Sequence, residues 1–243
     1  MSRPTRKKAA RKSPAQRAVE IADAASSLAL EQGLTAVTLR AIAARIDVAP
    51  ALVAHYEPNM DSLVATTFAR IVASEIEEVD DLLAELPTPT ARMAALIDTL
   101  LDGTRDDVTV VWVEAWGLGR RNDALAASVR EQMDAWQAIV QGVVEEGIAS
   151  GEFETPDAAT VAWQLLGMID GLNAQALVRW GDASARGSLI GHALEGMLGL
   201  ARGSLERDEL AHGGARPNAP RNSGEEEAHP RHSEAASSSP ASG

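Results

Sequence analysis

The side chains best suited to holding a ligand in this sequence are its tryptophans. The chain contains five Trp against one Tyr and two Phe, and every Trp lies at residue 112 or beyond. Trp112 and Trp116 are four residues apart, which places them on one face of a helix. Asp170 and Asn173 interrupt an otherwise apolar helix and need partners if they are buried. Because indole faces attract alkylammonium groups, this combination predicts a pocket for an organic cation.

The candidate ligand-binding residues are four indoles and two polar side chains: Trp112, Trp116, Trp136, Trp163, Asp170 and Asn173. The counter-ion for a cation would be Asp170 or Glu114, although the helical period rotates Glu114 away from the Trp112–Trp116 face. Two other interpretations stay open. The tryptophans could simply pack in a hydrophobic core, and a hydrophobic or acyl effector would need the tryptophans without the acids.

The sequence lacks the patterns of an enzyme active site. It has no cysteine and only five histidines, so it offers no thiolate nucleophile, disulfide or thiolate metal site. No HExxH motif and no Gly-rich phosphate loop after a strand is present, and the spacing of the histidines in the last 35 residues fits no metal site. We therefore expect a protein that is not an enzyme and that has no metal site and no cofactor.

A second group of candidate residues lies in the stretch TLRAIAARIDVAPALVAHY, residues 38–56. Thr38 is suited to cap a helix, and the helix it opens carries an apolar stripe at Leu39, Ile42, Ala43 and Ile46. Asp47 breaks this pattern, and Pro50 is suited to the first turn of a second helix. Two short helices joined by a tight turn are the geometry that places the second helix in a DNA major groove.

With its flanks, EQGLTAVTLRAIAARIDVAPALVAHYEPNMDSLV, this stretch resembles the N-terminal domain of the TetR family of bacterial one-component transcriptional regulators. The resemblance covers residues 16–68 in detail and extends to about residue 202 in outline. The His55–Tyr56 pair and the later stretches WVEAWGLGRRNDALAASVREQ, GIASGEF and GLNAQAL are most similar to the BetI-like branch. The resemblance implies a ligand-responsive dimeric regulator, most often a repressor, that a small-molecule effector releases from DNA. It also favours an organic cation as that effector.

The family pattern implies six residues that face DNA: Thr38, Arg40, Pro50, Ala51, His55 and Tyr56. Arg40 is long enough to reach a phosphate or a guanine edge. The start of the second helix offers small apolar contacts for thymine methyl groups, and the histidine–tyrosine pair is suited to phosphates. These two residues also have ordinary structural interpretations, an exposed helix-end histidine and a tyrosine packed against the first helix.

The helix pair departs from the family pattern at several positions. Asp47 stands where the family usually has Gly, and Asp tolerates a left-handed turn at modest cost. Ala54 and Met60 replace a frequent Tyr and a frequent Lys that contact phosphate, and Glu57 replaces a frequent Phe. Because two expected DNA contacts are absent, an alternative function is a helical dimeric small-molecule or protein-binding module that has lost specific DNA binding.

The hydrophobic periodicity predicts an all-α protein of about nine helices. Its predicted parts are a disordered basic arm (1–12), a helix-turn-helix DNA-binding domain (13–59), an effector-binding and dimerisation domain (60–203) and a disordered tail (204–243). A long helix over residues 59–86 would link the two domains, as in the family. The last two predicted helices combine apolar and small residues, which suits an isologous dimer interface, and a two-fold dimer would read a palindromic operator.

The net charge of −13 is distributed unevenly. Residues 1–57 contain 9 Lys and Arg against 5 Asp and Glu, whereas the rest of the chain contains 13 against 30. A basic end on an acidic body is expected of a protein with one nucleic-acid surface. The basic start lacks the apolar segment of a secretory signal, and the longest apolar run, residues 158–169, is shorter than the roughly 20 residues of a membrane span. We therefore expect a cytoplasmic protein.

Overall fold

The computed structural model describes residues 12–182 and 185–206, and within these ranges the regular structure consists of nine α-helices and one 3₁₀ turn, Leu34–Ala36. The helices are α1 (Pro14–Gln32), α2 (Leu39–Arg45), α3 (Pro50–Tyr56), α4 (Met60–Ala84), α5 (Pro89–Leu101), α6 (Asp106–Gly119), α7 (Asp123–Ser150), α8 (Ala158–Leu177) and α9 (Arg186–Leu198). The predicted all-α fold is confirmed.

The first helix begins and ends where local sequence signals place its ends. Ser13 and Gln16 form a reciprocal capping box, in which each side chain accepts from the backbone N–H of the other, so two otherwise unpaired donors are satisfied. Gly33 ends α1 with φ at +86°, a conformation that glycine adopts without the Cβ penalty of other residues. The chain then turns through the 3₁₀ segment to Thr38, whose hydroxyl oxygen accepts from Ala41 N–H and opens α2.

Helix α4 connects the N-terminal helices to the rest of the chain. It packs against α1 on one side and most extensively against α7, the longest helix. Its buried stripe includes Phe68, Val72 and Val79, which are spaced for one face of a helix. Buried residues from α1 through α9 form one continuous hydrophobic core. The boundary predicted between residues 59 and 60 therefore stays a prediction.

Two local expectations about the C-terminal helices are wrong. The run Thr155–Pro156–Asp157 predicts Thr155 as the cap of α8, with the proline and the acid in the first turn. In the structure Asp157 is the cap, because its carboxylate accepts from the backbone N–H of Thr160 at 3.0 Å and from the Thr160 hydroxyl at 2.6 Å. Gly199 is one of the small residues of the last predicted helix, and such residues are expected to allow close packing of helices. Instead it ends α9 in the left-handed conformation, with φ at +69°, so its role is in the backbone turn.

The predicted tail begins too early. Leu205 lies inside the range predicted to be disordered, yet only 5% of it is exposed, and its N–H donates to Glu195 Oε1 at 3.0 Å. The remainder of that prediction, residues 207–243, and nearly all of the predicted basic arm, residues 1–11, lie outside the described ranges. Among the described helices, none combines the length and apolarity needed to cross a bilayer.

Candidate functional site

The short helices α2 and α3 bring five of the six predicted DNA-facing residues to the surface. Those that are exposed are Thr38, Arg40, Pro50, Ala51 and His55. Tyr56 is half-buried against the core, and its ring meets that of His55 edge-on at 5.5 Å between centroids. Both sequence interpretations of Tyr56, a phosphate contact and a packing residue, therefore remain compatible with its position.

The turn between α2 and α3 is set by Asp47. Its φ of +53° is left-handed, as expected of an Asp at this point. The N–H of Val48 donates to Ala43 O at 2.9 Å and that of Asp47 to Ala44 O at 3.4 Å, which is the bonding pattern of a Schellman motif. The prediction that the turn forms without the usual glycine is confirmed.

The described part of the N-terminal domain has little positive charge to offer DNA. Residues 12–57 contain 4 Lys and Arg against 5 Asp and Glu. Lys12 and Arg17 both pair with Glu20, and Arg45 pairs with Glu31. Arg40 is the one cation of residues 12–57 without a carboxylate partner among the described residues. The positive balance of residues 1–57 therefore comes from the five Lys and Arg of residues 1–11.

All six predicted ligand-binding residues line a single cavity of about 500 Å³. Its walls come mainly from α6, α7 and α8, with Glu75 from α4, Leu100 from α5 and Arg105 from the loop before α6. A volume of this size falls within the range of about 300–1,000 Å³ that is typical of small-molecule sites. The structure thus brings the predicted residues together, while their role in binding stays a prediction.

The tryptophans occupy different depths of this cavity. Trp112 packs edge-on against Phe68, with centroids 4.9 Å apart, and lies 6.0 Å from the Trp116 ring at an interplanar angle of 41°. Trp136 is only 5% exposed, whereas Trp163 is 72% exposed and lines the cavity from its solvent-facing side. The cavity therefore has an indole-rich wall in its interior and one indole at its rim.

Glu75 is a cavity residue that the sequence analysis missed. It is 6% exposed, and Trp112 Nε1–H donates to its Oε2 at 3.4 Å. Burial raises the pKa of Glu75 to about 7, and the Trp112 hydrogen bond and the charge of Arg105 oppose part of that rise. The signal was present in the sequence, since residue 75 lies three and four positions from Val72 and Val79 on the buried stripe of α4.

Asp170 and Asn173 have separate roles in the cavity wall. Burial raises the pKa of the Asp170 carboxyl to about 6, and no hydrogen bond to it is found among the described residues. Asn173 Nδ2–H donates to Leu100 O at 2.8 Å and so joins α8 to the end of α5. With exposed Asp134 at the rim, three carboxylates and one guanidinium, Arg105, line the cavity, which gives it a negative formal charge when all are ionised.

Glu114 does not lie in the cavity. Its carboxylate accepts from the backbone N–H of Thr35 at 2.9 Å and from the Thr35 hydroxyl at 3.3 Å. The interpretation of Glu114 as a counter-ion for the ligand is therefore wrong, and the helical rotation that separated it from the two tryptophans decided its position. No group of three His, Asp or Glu side chains in the described part of the chain could hold a metal ion.

Two family descriptions match this sequence. Residues 21–67 match the bacterial regulatory proteins of the tetR family, and residues 89–199 match the C-terminal domain of BetI-type transcriptional repressors. The chain is also 26% identical over 156 residues to the fatty acid metabolism regulator protein of Bacillus subtilis, covering 63% of this chain and 79% of that protein. These relatives are transcriptional regulators, so the prediction that the chain is not an enzyme is confirmed.

Solved structures share the fold. A putative transcriptional regulator from Saccharomonospora viridis in complex with choline matches with a TM-score of 0.68 at 20% identity, over 76% of this chain and 98% of that one. The transcriptional regulator FadR from Bacillus subtilis in complex with stearoyl-CoA matches with a TM-score of 0.59 at 22% identity, over 74% and 97%. The same helical scaffold therefore accommodates an organic cation in one relative and an acyl thioester in another.

Proposed function

The chain belongs to the TetR family of transcriptional regulators, in its BetI-like branch, and we propose that it is a dimeric repressor that a small-molecule effector releases from a palindromic operator. The observation that carries the ligand-responsive part of this proposal is the convergence of the six predicted residues on one cavity. The DNA-binding part depends on the exposed residues of α2 and α3.

The DNA-binding surface consists of Thr38 and Arg40 on the α2 side and of the exposed start and end of α3. Pro50 and Ala51 are small and exposed, which suits close approach to base edges in a major groove. Arg40 is exposed and has no carboxylate partner among the described residues, so it is available for a phosphate or a guanine. His55, at the end of α3, is placed for a phosphate contact.

We assign the dimer interface to α8 and α9. Exposed large apolar side chains in the described chain concentrate there and in the segment between these helices, including Val178 at 76% and Leu189 at 60%. Gly171 and Gly196 are exposed on the same helices, with open space where a Cβ would be, so a second helix could approach closely. A two-fold pairing of this face would present two helix pairs to half-sites about 34 Å apart.

We propose an organic cation as the effector because of the charge of the cavity. Three acids, Glu75, Asp134 and Asp170, line the cavity against one cation, Arg105, and its interior wall is indole. Both features favour an alkylammonium group. Asp170 has no hydrogen-bond partner among the described residues, so a cation would supply the interaction that its half-buried carboxylate lacks. Binding would shift α4, the connecting helix, and change the spacing between the two DNA-binding domains.

An acyl effector is the second candidate, and specific observations favour it. Stearoyl-CoA is bound by a regulator of the same fold, and Arg105 in this cavity could pair with an anionic group. Tryptophan fluorescence separates the two candidates when choline, betaine, polyamines and stearoyl-CoA are titrated in turn. Quenching by a cation, with an affinity that falls about tenfold or more in Asp170→Asn, supports the cation. Quenching by stearoyl-CoA alone would reject it.

The experiment that tests the regulator itself is binding to the DNA upstream of its own gene, followed by fluorescence anisotropy at two salt concentrations. A specific regulator resists competitor DNA and loses affinity steeply as salt rises. Binding that is weak and equal for every DNA would instead support the module that has lost specific DNA binding, in line with Ala54 and Met60. The same assay then detects effectors by release of the DNA.

A further inference from the structure

Helix α6 carries the cavity on one face and a contact to the DNA-binding helices on the opposite face. Trp112 and Trp116 line the cavity. Glu114 lies midway between them in sequence, and at 3.6 residues per turn it projects roughly 160–200° from each. That opposite face packs against α1 and the 3₁₀ turn that follows it. A movement of α6 that changes the cavity wall therefore also moves Glu114.

The Glu114 carboxylate is closely fitted to the DNA-binding domain. It accepts from both the backbone N–H and the hydroxyl of Thr35, and that N–H would otherwise be an unpaired donor at the start of a 3₁₀ turn. Gly33 makes the approach possible, since a Cβ at this position would lie 2.6 Å from Glu114 Oε1. The backbone held in this way continues through Val37 directly to Thr38, the cap of α2.

We propose that Glu114 is the positioning residue that couples the ligand cavity to the DNA-binding domain, by holding the 3₁₀ turn before α2 in register with α6. This proposal rests on the proposed ligand-responsive function, and it assigns the transmission to α6 in addition to the connecting helix α4. The other ion pair or side-chain hydrogen bond that the described structure shows between α1–α3 and the later helices joins Asp23 on α1 to Arg70 on α4. Both of its partners are about half exposed, 55% and 51%, so screening weakens it.

The test measures amide hydrogen exchange at residues 34–37 when the cavity is perturbed in two independent ways. The first perturbation is Trp116→Leu, which changes the wall without any ligand, and the second is addition of choline or of stearoyl-CoA to protein that retains Trp116. Each is applied to the wild type, to Glu114→Ala, to Glu114→Gln and to Asp23→Asn. The last variant is the matched control, because it removes the α1–α4 ion pair and leaves Glu114 in place.

If Glu114 couples the two regions, Trp116→Leu changes the exchange rate of the Thr35 amide by about fivefold or more in the wild type and in Asp23→Asn. The change falls to less than about twofold in Glu114→Ala and is intermediate in Glu114→Gln, which keeps one acceptor oxygen. An equal response with and without Glu114 would overturn the proposal, and so would the absence of any response in the wild type. Loss of the response in Asp23→Asn alone would assign the coupling to α4.

Operator affinity is measured on the same four proteins to separate this proposal from the proposed function. A protein that binds no DNA specifically would contradict the function as a regulator, while the exchange result would still decide whether Glu114 links the two regions. If Trp116→Leu does not fold, the choline and stearoyl-CoA additions provide the perturbation. A ligand that quenches tryptophan fluorescence equally in all four proteins, yet changes Thr35 exchange only where Glu114 is present, supports the coupling.

Discussion

Replacing Glu75 by Gln is predicted to stabilise the protein at alkaline pH and to leave its stability unchanged in acid. Burial raises the pKa of this carboxyl from its ordinary value of 4.5 to about 7. The folded state therefore holds a proton that the unfolded state has released between pH 4.5 and 7, so the stability of the wild type falls as the pH rises through that window. The free energy of unfolding falls by about 1.4 kcal/mol for each pH unit between the two pKa values. The wild type has therefore lost about 3 kcal/mol of stability once the pH exceeds 7.

Glu75→Gln removes the ionisation and keeps an oxygen that can accept from Trp112 Nε1–H. We expect its melting temperature to exceed that of the wild type by about 6–12 °C at pH 8, since 1 kcal/mol shifts the melting temperature of a domain of this size by about 2–4 °C. At pH 4 and below, where the carboxyl is protonated in both the folded and the unfolded state, the two proteins should melt together. Glu77→Gln is the matched control, because Glu77 lies on the exposed side of the same helix, and its difference from the wild type should be small at every pH.

Thermal unfolding followed by circular dichroism between pH 4 and pH 8, at one protein concentration, provides the measurement. A difference between Glu75→Gln and the wild type that is the same at every pH would refute the argument that burial of an ionised carboxylate is responsible. A variant less stable than the wild type at pH 8 would refute it more strongly. In that case, the Arg105 guanidinium would be stabilising the Glu75 carboxylate by more than burial destabilises it.

Three further predictions concern the DNA-binding domain. Deleting residues 1–11 removes five cations from each protomer and should make the log–log salt dependence of operator binding by the dimer less steep by up to about 9. An unchanged slope would show that the arm makes no phosphate contacts. Arg40→Ala should cost about 1–3 kcal/mol of operator affinity per half-site if Arg40 reads a base, or reduce the salt slope by about one per half-site if it contacts a phosphate. Arg45→Ala, whose cation is already paired with Glu31, should change both quantities less, and an equal loss in the two variants would contradict the assignment. Gly33→Ala should lower the free energy of unfolding, measured in urea, by more than about 1 kcal/mol, because φ is positive and the new Cβ meets Glu114. The control is Gly142→Ala, since a Cβ there would enter open space beside α7. An equal change in the two variants would refute the close fit of Glu114 against Gly33.

The amino-acid sequence alone determined the features that depend on neighbours within a turn or two. The capping box at Ser13, the cap at Thr38 and the left-handed turn at Asp47 each involve a side chain and backbone groups only a few residues away, so the residue types were sufficient to predict them. The number of helices within the described ranges followed from hydrophobic periodicity for the same reason. The local signal failed at Thr155, because two polar residues two positions apart could each cap a helix and only the path of the chain chose Asp157.

The tertiary structure decided the features that depend on which helix faces which. The sequence placed four indoles, Asp170 and Asn173 among the candidates, but only the packing of α6, α7 and α8 brings them to one cavity. It also buries Glu75 beside Trp112 and raises its pKa. Glu114 was a candidate for the cavity by composition, and the rotation of α6 against α1 directs it to Thr35 instead. Periodicity gives the angle of a side chain around the axis of its own helix. Which residue that side chain contacts depends on how the helix is rotated against helices distant in sequence. The packing of the whole core sets that rotation.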